Sequence, residues 1–168
     1  MSTYSKKEIG DLVDGRLPFA TVHRMLSMPK DQERFALYLD VLQERVSWPD
    51  KIILARGPHL YIVQDKDSKK WVNKCACGLV MGEYDENWKL YANIFVRNTE
   101  ALLNELQPKL MAPHHEWQEI REFICPRCGI LHDVEAPVPW YPLLNEFEPD
   151  IETFYKEWVK IPLPERAN

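Results

Sequence analysis

The chain has 168 residues, of which 45% are hydrophobic and 28% charged, and these values predict one compact domain with an appendage rather than a disordered or fibrous chain. Its formal net charge is −5 and no basic run is longer than two residues, so we expect no nucleic acid partner. No segment reaches the ~18 apolar residues of a membrane span and no apolar run follows the N-terminus, which predicts a water-soluble, cytoplasmic protein with no membrane partner.

Residues 1–47 predict three helices. The first begins after Ser5 and ends before Gly15, the second follows Pro18, and the third begins at Asp31, because these residue types favour helix starts and stops. Apolar positions recur at the three- and four-residue spacing of a helix face: Ile9, Leu12, Val13, Val22, Met25, Leu26, Phe35, Leu39, Leu42 and Val46. These faces indicate packing rather than chemistry.

Residues 48–136 predict a strand-rich segment. Short runs of β-branched and aromatic residues, bounded by turn residues, are typical of antiparallel strands. We expect strands at residues 52–55, 59–63, 71–72, 89–96, 118–124 and 130–134. One helix interrupts them, capped by Asn98 or Thr99 and ending near Pro108.

Residues 137–168 predict an extended, proline-stiffened arm with a short helix at residues 150–160. Nine of the 13 prolines lie after residue 107, and most of the negative charge lies after residue 133. Large apolar side chains follow the arm: Trp140, Tyr141, Leu143, Leu144, Phe147, Phe154, Tyr155 and Trp158. This composition suits wrapping around a partner chain, and packing back on its own domain is the alternative.

The whole pattern therefore predicts an α+β fold in three parts. Residues 1–47 are a helical N-terminal segment, and residues 48–136 form a small antiparallel β module, similar to a zinc ribbon, with one inserted helix. Residues 137–168 are the proline-rich extended arm that wraps a partner.

All four cysteines belong to one short repeat. The first pair, Cys75 and Cys77, ends in a glycine directly after Cys77, and the second pair, Cys125 and Cys128, ends in a glycine directly after Cys128. Tetrahedral zinc binds four thiolates, and a tight turn with a glycine aims two of them from one backbone segment. We therefore interpret Cys75, Cys77, Cys125 and Cys128 as ligands of a closed, structural zinc site, which leaves no position for a catalytic water.

Three other interpretations of these cysteines stay open. An oxidoreductase using Cys125 and Cys128 needs a strand-to-helix junction, whereas a strand is predicted after Cys128. A rubredoxin-like iron site normally uses two C-x2-C pairs. His132 is four residues past Cys128 and is either a replacement ligand or a residue beside the site.

The remaining polar clusters are weaker candidates. His114, His115 and Glu116 are consecutive, and a solvated loop explains them better than a metal site. The acidic residues 83–87 lack the pattern of a calcium loop and indicate a solvated turn. Without a nucleotide-binding or hydrolase motif, the chain predicts no catalytic residue and no self-sufficient enzyme.

The chain resembles the small gamma subunits of acetone carboxylases, a group related to the acetophenone carboxylases. The resemblance extends over nearly the full length and rests on the helical N-terminus, on Lys74-Cys75-Ala76-Cys77-Gly78, on residues 119–129 and on Trp140-Tyr141-Pro142.

The resemblance implies a zinc-containing subunit of an α2β2γ2 heterohexamer. Such a complex carboxylates acetone to acetoacetate with bicarbonate and ATP, and its Mn²⁺ and ATP are expected in the large alpha and beta subunits. The family's zinc ligands would correspond to Cys75, Cys77, Cys125 and Cys128, and no catalytic residue carries over. A free-standing zinc-ribbon adaptor for protein partners is the alternative.

Overall fold

The computed structural model describes residues 3–29, 31, 33–108 and 110–167. Three helices come first: α1 (Lys6–Val13), α2 (Phe19–Ser27) and α3 (Glu33–Gln43). Four strands follow: β1 (Lys51–Gly57), β2 (Leu60–Gln64), β3 (Trp71–Cys75) and β4 (Val80–Glu83). After a 3-10 turn at Trp88–Tyr91 come β5 (Asn93–Arg97), α4 (Glu100–Asn104), β6 (Ile120–Ile124) and β7 (Leu131–Glu135). The last helix joins an α-helical turn, α5 (Ile151–Thr153), to a π-helical turn, Phe154–Val159.

The strands form two sheets, in the orders β1-β2-β3-β4 and β5-β6-β7. The pairs β3-β4, β5-β6 and β6-β7 are antiparallel, which confirms the predicted mixture of helices and antiparallel sheet. The register shifts between Val72 and Lys74 in β3 and between Phe123 and Ile124 in β6. Both irregularities therefore directly precede a cysteine turn.

The described part of the chain divides into two compact units. The first, which we call the helical unit, comprises the described residues of 1–54, 64–70 and 149–168. Its N-terminal core contains Tyr4, Ile9, Met25 and Val41. Ser5 and Glu8 form a reciprocal capping box at the start of α1, because each side chain binds the other residue's backbone N–H.

The second unit, which we call the cysteine unit, comprises residues 55–63 and 71–148. Its core is small and includes two of the cysteines: Leu60, Cys75, Met81, Trp88, Phe123 and Cys125. Residues 136–150 form neither helix nor strand. No helix in the described residues has both the length and the apolar character needed to span a membrane.

The structure corrects three predicted elements. The strand expected at residues 89–96 begins only at Asn93, because Asn87 accepts the Lys89 N–H at 3.2 Å and starts a 3-10 turn. The strand Val80–Glu83 was not predicted. The third helix ends at Gln43, before Val46, and the Gln43 side chain accepts the backbone N–H of Ile52 at 2.9 Å.

Candidate metal centre

Two hairpin turns in the cysteine unit carry the four cysteines. The turn from β3 to β4 contains Cys75 and Cys77, and the turn from β6 to β7 contains Cys125 and Cys128. In each turn the glycine N–H donates to the carbonyl of the first cysteine, at 2.8 Å in the first turn and 3.0 Å in the second. Both glycines have positive φ, 91° and 74°, a conformation that other residues adopt only with strain.

The two turns bring the four sulfur atoms together. Cys75 Sγ lies 3.8 Å from Cys128 Sγ, and Cys77 Sγ lies 3.7 Å from Cys125 Sγ. All four sulfur atoms lie within 4.8 Å of one another. Each close pair joins the two turns, so the cluster connects segments that are about 50 residues apart in the chain.

The spacing of the sulfur atoms fits a tetrahedral metal site. Four sulfur atoms bound to one zinc ion at about 2.3 Å lie about 3.8 Å apart along the edges of a tetrahedron. Cys75 and Cys125 are buried, Cys77 is half-buried and Cys128 is exposed. A thiol-only donor set favours a soft metal such as zinc over magnesium or calcium.

The surroundings of the cysteines shift their pKa values in different directions. Burial raises the pKa of the Cys75 thiol above its ordinary value. Burial acts in the same direction on Cys125, but the backbone N–H groups of Cys128 and Arg127 donate to its sulfur and bring its pKa down to about 7. A divalent ion among the four sulfur atoms would favour the thiolate form at every position.

His132 lies apart from the sulfur cluster. Its ring packs edge-on against Trp88, with 5.7 Å between the ring centroids, and both ring nitrogens are buried without a hydrogen-bond partner among the described residues. Burial lowers the pKa of His132, and His59 lowers it further. The group of potential metal ligands around the sulfurs contains only the four cysteines, so His132 does not replace one.

A second ionic cluster in the same unit was not predicted. Asp133, Glu135 and Glu146 bring carboxylate oxygens within 4.8 Å of one another, and the Lys89 ammonium lies among them. Lys89 Nζ is 3.0 Å from Glu146, 3.6 Å from Asp133 and in contact with Glu135. Lys89 is only 2% exposed, so a protein cation already occupies this carboxylate cluster.

The other sequence candidates take no part in a metal centre. The rings of His114 and His115 stack 4.9 Å apart in a loop, and His114 Nδ1 accepts the Glu116 N–H at 3.4 Å. Neither histidine belongs to a group of three potential ligands in the described part of the chain. Residues 84–87 form a turn, as predicted.

Known proteins are similar to this chain over nearly its full length. The family model "Acetone carboxylase gamma subunit" matches residues 46–159, about two-thirds of the chain, including all four cysteines. An acetone carboxylase gamma subunit from Xanthobacter autotrophicus (strain ATCC BAA-1158 / Py2) is 55% identical over 165 residues, which cover 98% of this chain and 98% of the relative. The chain therefore belongs to the acetone carboxylase gamma subunit family.

Proposed function

We propose that this chain is the zinc-binding, structural subunit of an ATP-dependent acetone carboxylase. In this proposal it assembles with large alpha and beta subunits as an α2β2γ2 heterohexamer in the cytoplasm, and the complex converts acetone, bicarbonate and ATP to acetoacetate. The large subunits hold Mn²⁺ and ATP and carry out most of the catalysis. The observation that carries the proposal is the four-sulfur cluster, in a chain that belongs to a gamma subunit family.

The four sulfur atoms support a structural rather than a catalytic metal. Cys75, Cys77, Cys125 and Cys128 would fill all four positions of a tetrahedral zinc ion, and a closed site leaves no position for water or substrate. When bound, the zinc ion would supply folding free energy. The cysteines, in turn, hold the β3-β4 turn next to the β6-β7 turn.

Exposed aromatic side chains support the assembly part of the proposal. In residues 137–168, Trp140 is 71% exposed, Trp158 is 70% exposed and Phe147 is 49% exposed. Large exposed aromatic side chains are typical anchors of protein interfaces. We infer that this segment contacts the large subunits.

The test is the full chain, co-expressed with its large subunits, carrying Cys125→Ser or Cys128→Ser. We expect both variants to lose zinc, measured by elemental analysis of the purified subunit, and to lose the assembled complex, measured by native mass. The matched control is Arg127→Ser, because Arg127 is exposed between the two cysteines and its replacement leaves all four sulfur atoms in place.

Two outcomes would contradict the proposal. Loss of zinc with retained assembly and carboxylation would show that the metal has no structural role. A wild-type chain that purifies alone or as a homodimer from cells containing the large subunits would favour a free-standing zinc-ribbon adaptor.

A further inference from the structure

The four sulfur atoms of the metal centre differ in their access to solvent. Cys128 is exposed and Cys77 is half-buried, whereas Cys75 and Cys125 are buried. Each of the two short sulfur contacts joins an accessible cysteine to a buried one. Cys128 Sγ lies 3.8 Å from Cys75 Sγ, and Cys77 Sγ lies 3.7 Å from Cys125 Sγ. In each pair, therefore, solvent reaches one sulfur atom, and the buried sulfur atom belongs to the opposite turn.

This arrangement is typical of oxidation-sensitive thiols. A sensor cysteine is accessible to solvent and lies next to a second cysteine that resolves its oxidised form. Here Cys128 has the accessible position and Cys75 has the resolving position. A cysteine that binds a metal does so as the thiolate, which is also the form that reacts with an oxidant. A closed site excludes water from the metal, but it leaves the Cys128 sulfur open to solution.

The two turns favour a disulfide between them over one within either turn. A C-x-x-C disulfide is typical of a strand-to-helix junction, whereas Cys128 leads into the strand β7. In the other turn, the Gly78 N–H donates to the Cys75 carbonyl at 2.8 Å. A disulfide needs a specific dihedral angle and Cα separation, so a bond from Cys75 to Cys77 would distort this short turn. A bond between the turns needs the sulfur atoms to approach from 3.8 Å to about 2.05 Å.

We propose that the metal centre is an oxidant-sensitive site, in which a peroxide joins Cys75 and Cys128 in a disulfide and releases the zinc ion; the identity of the metal rests on the proposed function. The Cys128 thiolate attacks one oxygen of hydrogen peroxide, the O–O bond breaks, and a sulfenic acid and a hydroxide form. The Cys75 thiolate then attacks the Cys128 sulfur and displaces a second hydroxide. Two thiolates are thereby oxidised to one disulfide, one peroxide is reduced, and both hydroxides take protons from solvent to become water.

The disulfide would replace the metal as the link between the two turns. Cys77 and Cys125 alone supply too few ligands for a structural zinc ion, so the ion leaves, and a second peroxide can join these two sulfur atoms in the same way. Cys75 and Cys128 are 53 residues apart in the chain, and a disulfide that closes a long loop restricts the unfolded chain. We therefore expect the oxidised cysteine unit to stay folded without zinc.

The test is the zinc-loaded full chain treated with hydrogen peroxide. One equivalent of peroxide should release most of the zinc, measured with a chromogenic chelator against a sample without peroxide. Peptide mapping by mass spectrometry should find the Cys75–Cys128 disulfide as the first product, and excess peroxide should add the Cys77–Cys125 disulfide. Hydrogen-exchange protection in β3 and β6 should persist. A thiol reductant with added zinc should restore the metal content.

The matched control is Met111→Leu, because peroxide also oxidises methionine and Met111 is 73% exposed. This variant should release zinc and form the same disulfides as the wild type. Retention of zinc in Met111→Leu would show that methionine oxidation causes the release in the wild type, and it would overturn the inference.

Four results with the wild type would also overturn it. They are a Cys125–Cys128 disulfide as the first product, irreversible oxidation of Cys128 beyond the sulfenic acid, retention of zinc and of all four thiols in excess peroxide, and loss of protection in β3 and β6 after oxidation.

Failure of the proposed function gives a different result. A wild-type chain that contains no zinc before peroxide is added would contradict the structural zinc subunit. Peptide mapping of the reduced, metal-free chain after peroxide would then still decide whether the Cys75–Cys128 disulfide forms. Zinc in the untreated chain with any of the overturning results would leave the structural role of the metal in place and remove only the oxidant-sensitive site.

Discussion

The two units of the molecule reach stability by different means. In the helical unit, aliphatic side chains pack around Ile9 and aromatic rings pack around Phe35. In the cysteine unit, the core includes Cys75 and Cys125, and a buried ammonium, that of Lys89, lies among three carboxylates. The difference indicates that the helical unit depends on apolar burial, whereas the cysteine unit combines a small core with an ionic cluster and, in the proposed function, with a bound metal.

Removing the proposed metal should have the largest effect, and it should destabilise the cysteine unit but not the helical unit. Apparent zinc-binding free energies of structural sites are on the order of 10 kcal/mol, comparable with the whole stability of a small domain. Adding a strong chelator to the zinc-loaded chain should therefore abolish hydrogen-exchange protection in β3, β4, β6 and β7. Amides of α1 and α3 should stay protected.

The control for this experiment is the same chelator saturated with zinc beforehand, which should change neither unit. Simultaneous loss of protection in α1 and α3 would contradict the difference between the two units, because the helical unit would then depend on the metal as well.

Replacing the buried cation should have the next largest effect. Lys89→Met keeps a long side chain but leaves three carboxylates without their cation, and removal of one partner from a buried ion pair costs about 3 kcal/mol. Burial alone would lower the pKa of Lys89, but Glu135 and Glu146 raise it above its ordinary value. In the wild type this contribution is complete below the unfolded pKa of about 10.4 and is lost as the pH rises through the folded pKa.

The measurement for Lys89→Met is urea unfolding at several pH values. The variant should be less stable than the wild type at pH 7, and this difference should shrink as the pH rises through the folded pKa of Lys89. Lys156→Met, at an exposed lysine, should lose less than about 0.5 kcal/mol. Equal losses in the two variants would show that the Lys89 cluster contributes no special stability.

The features that the sequence predicted well are those set by nearby residues. Ser5 and Thr99 accept N–H groups three residues ahead, so their caps are visible in a short window of sequence. Each cysteine turn likewise needs only its two cysteines and the following glycine. The association of the turns follows from the chemistry of thiols, because four cysteines without a disulfide framework predict a shared metal.

The features that the sequence missed depend on distant residues or on short elements. The ionic cluster around Lys89 is one such feature. The Lys89 ammonium binds Glu135 and Glu146, which lie 46 and 57 residues further along the chain. Asp133 and Glu135 are two residues apart and therefore lie on the same face of β7. This spacing was the signal in the sequence for paired carboxylates. The strand β4 has four residues, and Gly82 within it has φ of 89°, so no β-pattern was visible.

A smaller change tests the apolar unit through one hydrogen bond. Tyr155→Phe keeps the ring but leaves the buried Ile53 carbonyl without its donor, which should cost about 1.5 kcal/mol in urea unfolding. Burial also raises the pKa of Tyr155 above its ordinary value. Its contribution is therefore complete below the unfolded pKa of about 10 and falls as the pH rises towards the folded pKa.

The variant Tyr155→Phe should accordingly lose less stability than the wild type between pH 9 and pH 11. Tyr141→Phe, at a tyrosine that is 44% exposed, should keep the wild-type pH profile. An unchanged profile in Tyr155→Phe would show that another group controls the alkaline loss of stability.

The smallest expected effect is local and belongs to the first helix of the helical unit. Ser5→Ala removes the hydroxyl that accepts the Glu8 N–H at 3.2 Å, and loss of such a cap costs about 1 kcal/mol. Ser5→Gly should cost only a few tenths of a kcal/mol, because glycine readily adopts the capping conformation and leaves the backbone N–H groups open to water. In both variants the Ser5 backbone N–H can still donate to the Glu8 carboxylate, the bond that contributes most to the lowered pKa of Glu8. Since that contribution is present above the unfolded pKa of about 4.3 and lost as the pH falls, both variants should keep the part of the acid sensitivity that comes from the backbone N–H and lose the part that comes from the Ser5 hydroxyl. An unchanged free energy of unfolding in Ser5→Ala, measured by urea unfolding, would show that the hydroxyl cap does not stabilise α1.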